Sequence, residues 1–235
     1  MMELQVFGPG FGLPEMGPFC TKAMVLLQMS GLPHRVLRCD LRRAPKGKAP
    51  WLVDGDDCVA DSTFIRWHLE ARHGIDFDAG LPPVQRGCAW AVEKLCEDHL
   101  YWALIHERWA VDHNFDRGPR HFFDSLPLPL RPVVSAAVRR KLRRDLLGQG
   151  FGRHSREEIL RLGERALDAV AEVIGDSPYL MGGQPCGADA SVFGMLAGVM
   201  SETFDTPLRE HAAARPELLA YRDRCMQHWF PDFSG

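Results

Sequence analysis

The residues best suited to bind a ligand are Asp61 and Ser62, which stand at the expected start of a helix over 63–70. A carboxylate or hydroxyl at a helix start accepts a hydrogen bond from a free backbone N–H, and the remaining N–H groups there attract an anion. The pair therefore predicts a pocket for a carboxylate or another anion.

A β-hairpin is expected to set this pocket beside an open backbone edge. Pro50 cannot donate a ladder hydrogen bond, so it suits the first position of a strand over 51–53. The turn-forming residues 54–57 lead into a second strand over 58–60, which ends at Asp61. A ligand could pair with the edge and place a carboxylate on the helix.

The chain before the hairpin predicts a β-α-β unit. Residues 4–7 form a first strand, the glycine- and proline-rich loop 8–14 follows, and a helix with Pro18 in its first turn runs to Ser30. Residues 34–39 alternate as a half-buried strand. With the hairpin and the next helix, this order predicts an α/β domain on a four-stranded mixed sheet, as in thioredoxin.

The composition of the 235 residues argues against several classes of protein. An apolar content of 46% suffices for a core without disulfides, and a net charge of -3 disfavours a general nucleic-acid or anionic-membrane binder. No apolar run approaches about 18 residues and no signal peptide is visible. Seven scattered cysteines without a Cys-x-x-Cys pair indicate reduced thiols, so a cytoplasmic location is expected.

A second, all-helical domain is expected after residue 76. Residues 77–83 have the glycine and prolines of a linker, and 84–235 read as helices over roughly 84–113, 132–148, 155–175, 187–203 and 215–228. Gly118 and several prolines break the pattern over 112–132. Long irregular stretches are usually functional or mobile, so this one is expected near the space between the domains, as a lid or part of an acceptor pocket.

The hairpin region resembles a known family. The run Lys46-Gly47-Lys48-Ala49-Pro50, followed by Asp61-Ser62, is similar to the glutathione-site signature of the glutathione S-transferase superfamily, whose first domain is thioredoxin-like. Residues 17–22 and 60–65 resemble its metaxin and failed-axon-connections-like branch.

This resemblance implies roles for individual residues. Pro50 is expected to be cis, and the backbone of Ala49 to pair with the cysteinyl part of glutathione as an added strand would. Asp61 and Ser62 would hold the γ-glutamyl end, and Lys48 would approach the glycine carboxylate.

The same resemblance places the thiol-activating group at the start of the first helix, where free N–H groups and the helix dipole stabilise a thiolate. Gly17 stands where such transferases commonly carry Tyr, Ser or Cys, and it has no side chain to offer. Cys20 has three open interpretations: a reactive thiol, a polar contact to glutathione, or a buried packing residue. The backbone N–H of Phe19 or Cys20, or an Arg or Lys from the second domain, could also hold the sulfur.

A helix over 90–113 supplies aromatic candidates. Trp102, His106 and Trp109 recur at i, i+4 and i+7 and share a face, which is either core or the wall of an acceptor pocket between the domains. Tyr101 or His106 could donate a hydrogen bond to a thiolate and so compensate for Gly17.

Two charged groups predict no site. The acidic and histidine residues over 93–99 lack a recognised ligand spacing, so no metal is predicted. The basic run 139–144 is expected to be a solvated helix face.

Residues 179–189 carry a second resemblance to the superfamily. Asp189 matches the acidic member of a buried capping box at the start of a core helix, while Cys186 stands in place of the usual Ser or Thr. Because a thiol accepts only a weak hydrogen bond, we expect a weaker cap, with Asp189 ordering the helix over 190–200.

Together these features predict a two-domain homodimer that binds glutathione as co-substrate and transfers its thiolate to a small hydrophobic electrophile. Two alternatives stay open. One is a non-catalytic binding or adaptor module that kept the fold, which Gly17 favours. The other is a glutathione-dependent thiol reductase that uses Cys20.

Overall fold

The computed structural model describes residues 1–233. The first part of the chain contains β1 (Met2–Val6), α1 (Pro18–Ser30), β2 (His34–Arg38), β3 (Trp51–Asp54), β4 (Asp57–Ala60) and α2 (Ser62–His73). The strands form one sheet in the order β2-β1-β3-β4, with β1 parallel to β2 and antiparallel to β3. The predicted four-stranded mixed sheet is therefore confirmed.

Local sequence accounts for these elements. Side chains of β1 alternate, so that Met2, Leu4 and Val6 are buried. Proline occupies the first position of α1, where its missing N–H costs nothing, and Gly31 ends the helix in the left-handed conformation with φ 66°. The parallel pairing of β1 with β2 requires a crossover, which α1 supplies.

The second part of the chain is helical, as predicted. Its helices are α3 (Pro83–Lys94), α4 (Tyr101–Trp109), α5 (Asp112–Arg117), α6 (Arg131–Gln149), α7 (Arg156–Ile174), α8 (Gly187–Val199), α9 (Pro207–Ala213) and α10 (Pro216–Trp229). A wide turn over Leu95–Leu100 joins α3 to α4 without a break. The helix expected over 84–113 therefore exists but ends at Trp109.

Two sequence predictions in this part were incomplete. The interval 112–132 contains α5 and a short 3-10 turn over Pro119–Phe123, so it is less irregular than expected. The seven-residue helix α9 was not predicted, because so short a segment carries less than two turns of periodic pattern. The basic run on α6 is largely exposed, and Leu146 is the buried residue of that helix.

Helix α8 is the centre of the helical domain, and every residue from Gly187 to Val199 is buried. Asp189 accepts hydrogen bonds from the backbone N–H groups of Leu180 and Cys186, both at 2.8 Å, and from the Tyr221 hydroxyl at 2.7 Å. The predicted ordering role of Asp189 is thus present in the structure. The Cys186 thiol takes the place of the capping hydroxyl.

Buried ion pairs join the two parts of the chain. Lys22 on α1 is fully buried, with its Nζ 2.9 Å from Glu93 and 2.5 Å from Glu97. Glu93 also accepts from Arg66 on α2 at 2.9 Å. Two members of the acidic group over 93–99 are therefore counter-ions of buried cations.

No helix within residues 1–233 has both the length and the low polarity needed to cross a bilayer. All seven cysteines carry free thiols in the structure.

Candidate functional site

The hairpin leaves backbone groups available for a ligand. The peptide bond between Ala49 and Pro50 is cis, as the resemblance implied. The Pro50 carbonyl accepts the N–H of Asp61 at 3.2 Å, whereas Ala49 makes no backbone hydrogen bond with any residue in 1–233. The backbone of Ala49 is therefore free to pair with an extended ligand.

Asp61 has an unusual backbone. Its φ is 90°, in a region that residues other than glycine adopt only at a cost in free energy. Two bonds hold it there: its N–H to Pro50, and its carboxylate, which accepts from the Thr63 N–H at 2.9 Å. Asp61 is exposed and Ser62 is buried beside it at the first position of α2. The cap that the sequence predicted is confirmed.

The starts of α1 and α2 are neighbours. Lys22, in the second turn of α1, donates from Nζ to the Thr63 hydroxyl at 3.2 Å. We call the region of Ala49, Asp61, Ser62 and the start of α1 the mouth; both helices begin here, and the first N–H groups of a helix favour an anion.

The two lysines of the hairpin differ. Lys48, the predicted partner of a glycine carboxylate, is exposed. Lys46 donates to the Ala60 carbonyl at 3.1 Å and lies 4.4 Å from the centre of the Phe64 ring. Lys46 is therefore held in place by the protein, and sequence reasoning had not assigned it a role.

Packing explains why position 17 is a glycine. An added Cβ there would lie 2.9 Å from the Phe7 ring and 3.3 Å from the Glu15 carboxylate. Glu15 accepts from the N–H groups of Gly8 at 2.7 Å and Gly17 at 2.9 Å. Burial raises the pKa of the Glu15 carboxyl to about 7, although these donors act in the opposite direction. The Phe7 ring, with the Glu15 carboxylate next to it, thus leaves no room for a side chain at position 17.

Cys20 is fully buried in the core. Burial, and secondarily the charge of Glu15, raise the pKa of its thiol well above the usual range. Of the three interpretations left open by the sequence, these observations favour the packing residue.

Tyr101, the first residue of α4, packs against the start of α1. Its ring centre is 4.8 Å from that of Phe19, the second residue of α1. Burial raises the pKa of the Tyr101 hydroxyl to about 12, so the group stays protonated at neutral pH and can donate a hydrogen bond.

His106 and Trp102 have other surroundings. The His106 ring lies 3.2 Å from the Glu107 carboxylate, which in turn binds Arg156 of α7. A helix turns by about 100° per residue, so His106 is about 140° around α4 from Tyr101. Trp102 packs on Tyr101 with ring centres 5.4 Å apart. The structure does not bring His106 to the start of α1.

Trp109 belongs to an aromatic cluster between the loop 8–17 and the helical domain. Its ring contacts those of Phe115 and Phe122, and Phe122 lies 5.5 Å from Phe11 in the loop. The 112–132 interval therefore does lie against the first domain, through Phe122. The cluster is an apolar surface of the kind that small hydrophobic ligands contact.

Two charged residues near the start of α1, Glu15 and Arg108, were not among the predicted site residues. Glu15 gave only a weak signal, as a lone acidic residue in a glycine- and proline-rich loop before a helix. Arg108 lies on α4 with Tyr101, seven residues on and so on the same face. The sequence analysis had chosen the face of Trp102, His106 and Trp109.

A carboxylate and two histidines cluster at the far end of β3. Asp54 lies 2.9 Å from His68 and 2.8 Å from His73, an arrangement that resembles metal ligands. The guanidinium of Arg72 is 3.6 Å from the same carboxylate and opposes a cation there. We therefore regard the cluster as ion pairing between the hairpin and α2.

An open cavity lies away from the mouth. It has a volume of about 560 Å³ and is bordered by Gln28 and Met29 at the other end of α1, together with Phe77 and Trp229. None of the predicted site residues lines it.

Comparison with known families agrees with this architecture. Residues 18–115 match the glutathione S-transferase N-terminal domain and residues 163–225 match the glutathione S-transferase C-terminal domain. The sheet domain followed by the helical domain corresponds to these two family domains in the same order. The chain belongs to the glutathione S-transferase superfamily.

Individual relatives include both enzymes and proteins with other names. The chain is 27% identical to the isoprene-epoxide–glutathione S-transferase of Rhodococcus sp. (strain AD45), over 97% of this chain and 99% of that one. It is 27% identical to Failed axon connections of Drosophila melanogaster, over 94% of this chain but 56% of that protein. Human metaxin-2 is 26% identical over 88% of this chain and 80% of its own length.

Solved structures share the fold across the whole chain. The beta-etherase of Sphingobium sp. superposes with a TM-score of 0.67 and 19% identity, covering 99% of both chains. A glutathione S-transferase of Methylobacillus flagellatus with glutathione bound gives a TM-score of 0.63 and 15% identity, over 99% of this chain and 98% of that one.

Proposed function

We propose that this protein binds glutathione in the mouth and transfers its thiolate to a small hydrophobic electrophile. The backbone of Asp61 carries the proposal. Two hydrogen bonds hold Asp61 at φ 90°, a backbone conformation that costs free energy. Asp61 lies next to Ala49, whose backbone makes no hydrogen bond within residues 1–233. Strained backbone of this kind is typical of ligand sites. The relative named as an isoprene-epoxide transferase, similar over 97% of this chain, supports an enzymatic role.

Each end of the tripeptide has a matching group. Extended ligands pair with free backbone edges, which Ala49 offers. The γ-glutamyl end has an ammonium and a carboxylate, which suit the Asp61 carboxylate and the helix N–H groups beside Ser62. Lys48, and Lys46 beside it, are cations for the glycine carboxylate.

The transfer itself needs a thiolate near α1. The bound thiol releases its proton to solvent, and the sulfur electron pair then forms a bond to carbon of the electrophile. With an epoxide, the carbon–oxygen bond breaks and the oxygen takes a proton from water. Tyr101 is our candidate donor to the thiolate, because its ring lies against Phe19 at the start of α1 and its hydroxyl is protonated at neutral pH. The aromatic cluster around Trp109 is our candidate acceptor wall.

Asp61→Asn tests the binding step most directly. Asparagine can keep the cap to Thr63 and tolerates positive φ, so the change removes mainly the charge. We expect glutathione affinity, measured by calorimetry, to fall by about 1.5–3 kcal/mol, which is roughly 10- to 150-fold.

Asp57→Asn provides the matched control, since Asp57 is an exposed carboxylate on the same hairpin, outside the mouth. Its affinity should stay at the wild-type value. Equal affinities for wild type and Asp61→Asn would contradict the γ-glutamyl assignment. An absence of binding at millimolar glutathione would leave the adaptor as the better function.

Turnover with a small epoxide then tests catalysis. Tyr101→Phe should lower kcat by about 10- to 100-fold, while His106→Ala and Cys20→Ala should change it little. A larger loss for Cys20→Ala than for Tyr101→Phe would favour the reductase or another thiol-based reaction.

We also propose that two copies form a homodimer in the cytoplasm. Three large aromatic residues are exposed on neighbouring helices: Phe64 by 47%, Trp67 by 46% and Trp90 by 41%. Their rings contact one another, with Trp67 between the other two. Contiguous exposed apolar surface of this kind favours an interface. Trp67→Glu should give a monomer in sedimentation velocity, while Leu128→Glu, at an exposed loop residue, should not.

A further inference from the structure

Arg108 carries a buried positive charge that no carboxylate neutralises within residues 1–233. It is 3% exposed, and its Nε has no hydrogen-bond partner in the described chain. Its Nη2 donates to the Gly198 carbonyl at 2.7 Å, and its Nη1 lies 3.4 Å from the Met16 carbonyl. Both acceptors are neutral, so the charge is only partly compensated.

Two aromatic rings shield this charge from water. The guanidinium carbon lies 4.7 Å from the centre of the Phe204 ring and 5.3 Å from that of Phe11. Ring faces attract a cation, but they also keep the local dielectric low. The field of Arg108 therefore falls off less steeply than that of an exposed arginine.

The position of Arg108 relates this field to the mouth. Met16 immediately precedes Gly17, the residue that caps α1, and Gly198 lies near the end of α8. The guanidinium thus bridges the two domains beside the free N–H groups of α1. The guanidinium charge and the N-terminal end of the α1 dipole are both positive, and both favour an anion at the helix start.

We infer that Arg108 stabilises the negative charge of a thiolate bound at the start of α1, in place of the side chain that position 17 has no room for. The inference rests on the proposed function. Arg108 acts on the sulfur through its electric field and makes no direct contact with it, so it is an electrostatic residue and not a catalytic one. The thiol proton leaves to solvent, and no further reactant is needed.

Other ionisable groups around the start of α1 do not supply this positive charge. Glu15 on the preceding loop opposes a thiolate when it is ionised. Cys20 and Tyr101 are neutral at neutral pH, because burial raises the pKa of both. Lys22 is neutralised by its two carboxylates. Burial lowers the pKa of Arg108 itself to about 10, so it remains charged.

The experiment titrates the thiol of bound glutathione, from its ultraviolet thiolate absorbance and from the pH profile of kcat/KM. The wild type should hold the thiol pKa about 1–2 units below its free value. Arg108→Gln should return it at least about one unit toward the free value, and Arg108→Lys, which keeps the charge, should restore most of the shift.

Arg139→Gln is the matched control. Arg139 also contacts an aromatic ring, Phe115 at 4.3 Å, and donates to the carbonyls of Trp109 and Ala110, but Asp112 neutralises it at 2.6 Å. Its variant should leave the titration unchanged. Binding of S-methylglutathione, which has no ionisable thiol, checks that the mouth is intact in each variant.

An unchanged thiol titration in Arg108→Gln, with S-methylglutathione bound normally, overturns the inference and leaves the proposed binding standing. If Arg108→Gln does not fold, Phe11→Ala decides instead: exposing the guanidinium to salt should raise the thiol pKa in a salt-dependent way, and an unaffected titration again overturns the inference. Failure of the wild type to bind either glutathione or S-methylglutathione overturns both the proposed function and the inference.

Discussion

Lys22 and Arg108 are both buried cations at the contact between the domains, yet their surroundings differ completely. Lys22 has two carboxylates, at 2.9 Å and 2.5 Å, and a hydroxyl acceptor. Arg108 has two carbonyl oxygens and two aromatic faces. The charge of Lys22 is neutralised within the protein, whereas the charge of Arg108 is not and could be neutralised by a bound anion.

The difference shows how one interface serves two purposes. The ion pairs of Lys22 and Arg66 hold α1 and α2 against α3. Under the proposed function, a carboxylate beside Arg108 would cancel the field that a thiolate needs. The proposal therefore assigns stability to Lys22 and thiolate stabilisation to Arg108.

The largest expected effect comes from Asp189, a buried carboxyl group whose hydrogen-bond partners are all neutral donors. Asp189→Ala should destabilise the protein by about 4 kcal/mol, since it leaves the buried N–H groups of Leu180 and Cys186 without acceptors. Urea unfolding measures this, with the exposed Asp176→Ala as control, expected within about 0.5 kcal/mol of wild type. A small loss would mean that neutral partners matter little around buried charges.

Lys22→Met should cost about 3 kcal/mol, because Glu93 and Glu97 would lose one of their buried counter-ions. Glu70→Gln, at the half-exposed end of the Arg66 network, should cost less than about 1 kcal/mol. Equal losses of unfolding free energy for Lys22→Met and Glu70→Gln, measured by urea unfolding, would show that the buried and the half-exposed ion pairs contribute alike.

Glu15→Gln extends the comparison to a buried acid and predicts a pH dependence. The pKa of Glu15 is raised to about 7, so ionising it disfavours the folded state. The wild type should therefore lose up to about 3 kcal/mol of stability as the pH rises from about 4.5 to about 7, and no more above that.

Glutamine does not titrate, so the variant should gain on the wild type over that same interval. The glutamine amide cannot accept from both Gly8 and Gly17 with the same strength, which changes the free energy of unfolding by an amount that does not depend on pH. Comparing how steeply the two stabilities change with pH removes this constant difference. Parallel stability curves between pH 4.5 and 8 would show that Glu15 ionises normally.

The smallest effect on stability is expected for Arg108→Met, at about 1 kcal/mol or less. The change removes two hydrogen bonds but also a buried charge without a counter-ion, and these contributions oppose one another. A loss as large as that of Lys22→Met in urea unfolding would assign Arg108 a structural role and make the two cations equivalent.

Local patterns in the sequence predicted most of the fold. The strand over 34–39, the turn at 54–57 and the cap at Asp61 each depend on a few residues, so they can be predicted without coordinates. The burial of β2 itself does not alternate as expected. Helix α9 was missed because it is short, and the predicted helix ends erred by a few residues where caps are weak, as at Trp109 and Val199.

The candidate site was predictable only on the hairpin side. On α4 aromatic residues lie on more than one face, so periodicity could not decide which face meets α1. The structure brings Tyr101 and Arg108 to α1 and directs His106 toward Glu107. No neighbour of Arg108 in the sequence distinguishes it from the exposed arginines of α6.

The sequence by itself therefore determined most of the elements, the four-stranded mixed sheet and the helix cap at Asp61, because strand, turn and cap preferences are short-range. Only the tertiary structure decided which charges are buried and which of them are neutralised. That outcome depends on contacts such as Lys22 with Glu93 and Arg108 with Gly198, between residues far apart in the chain, which form only when the domains pack together.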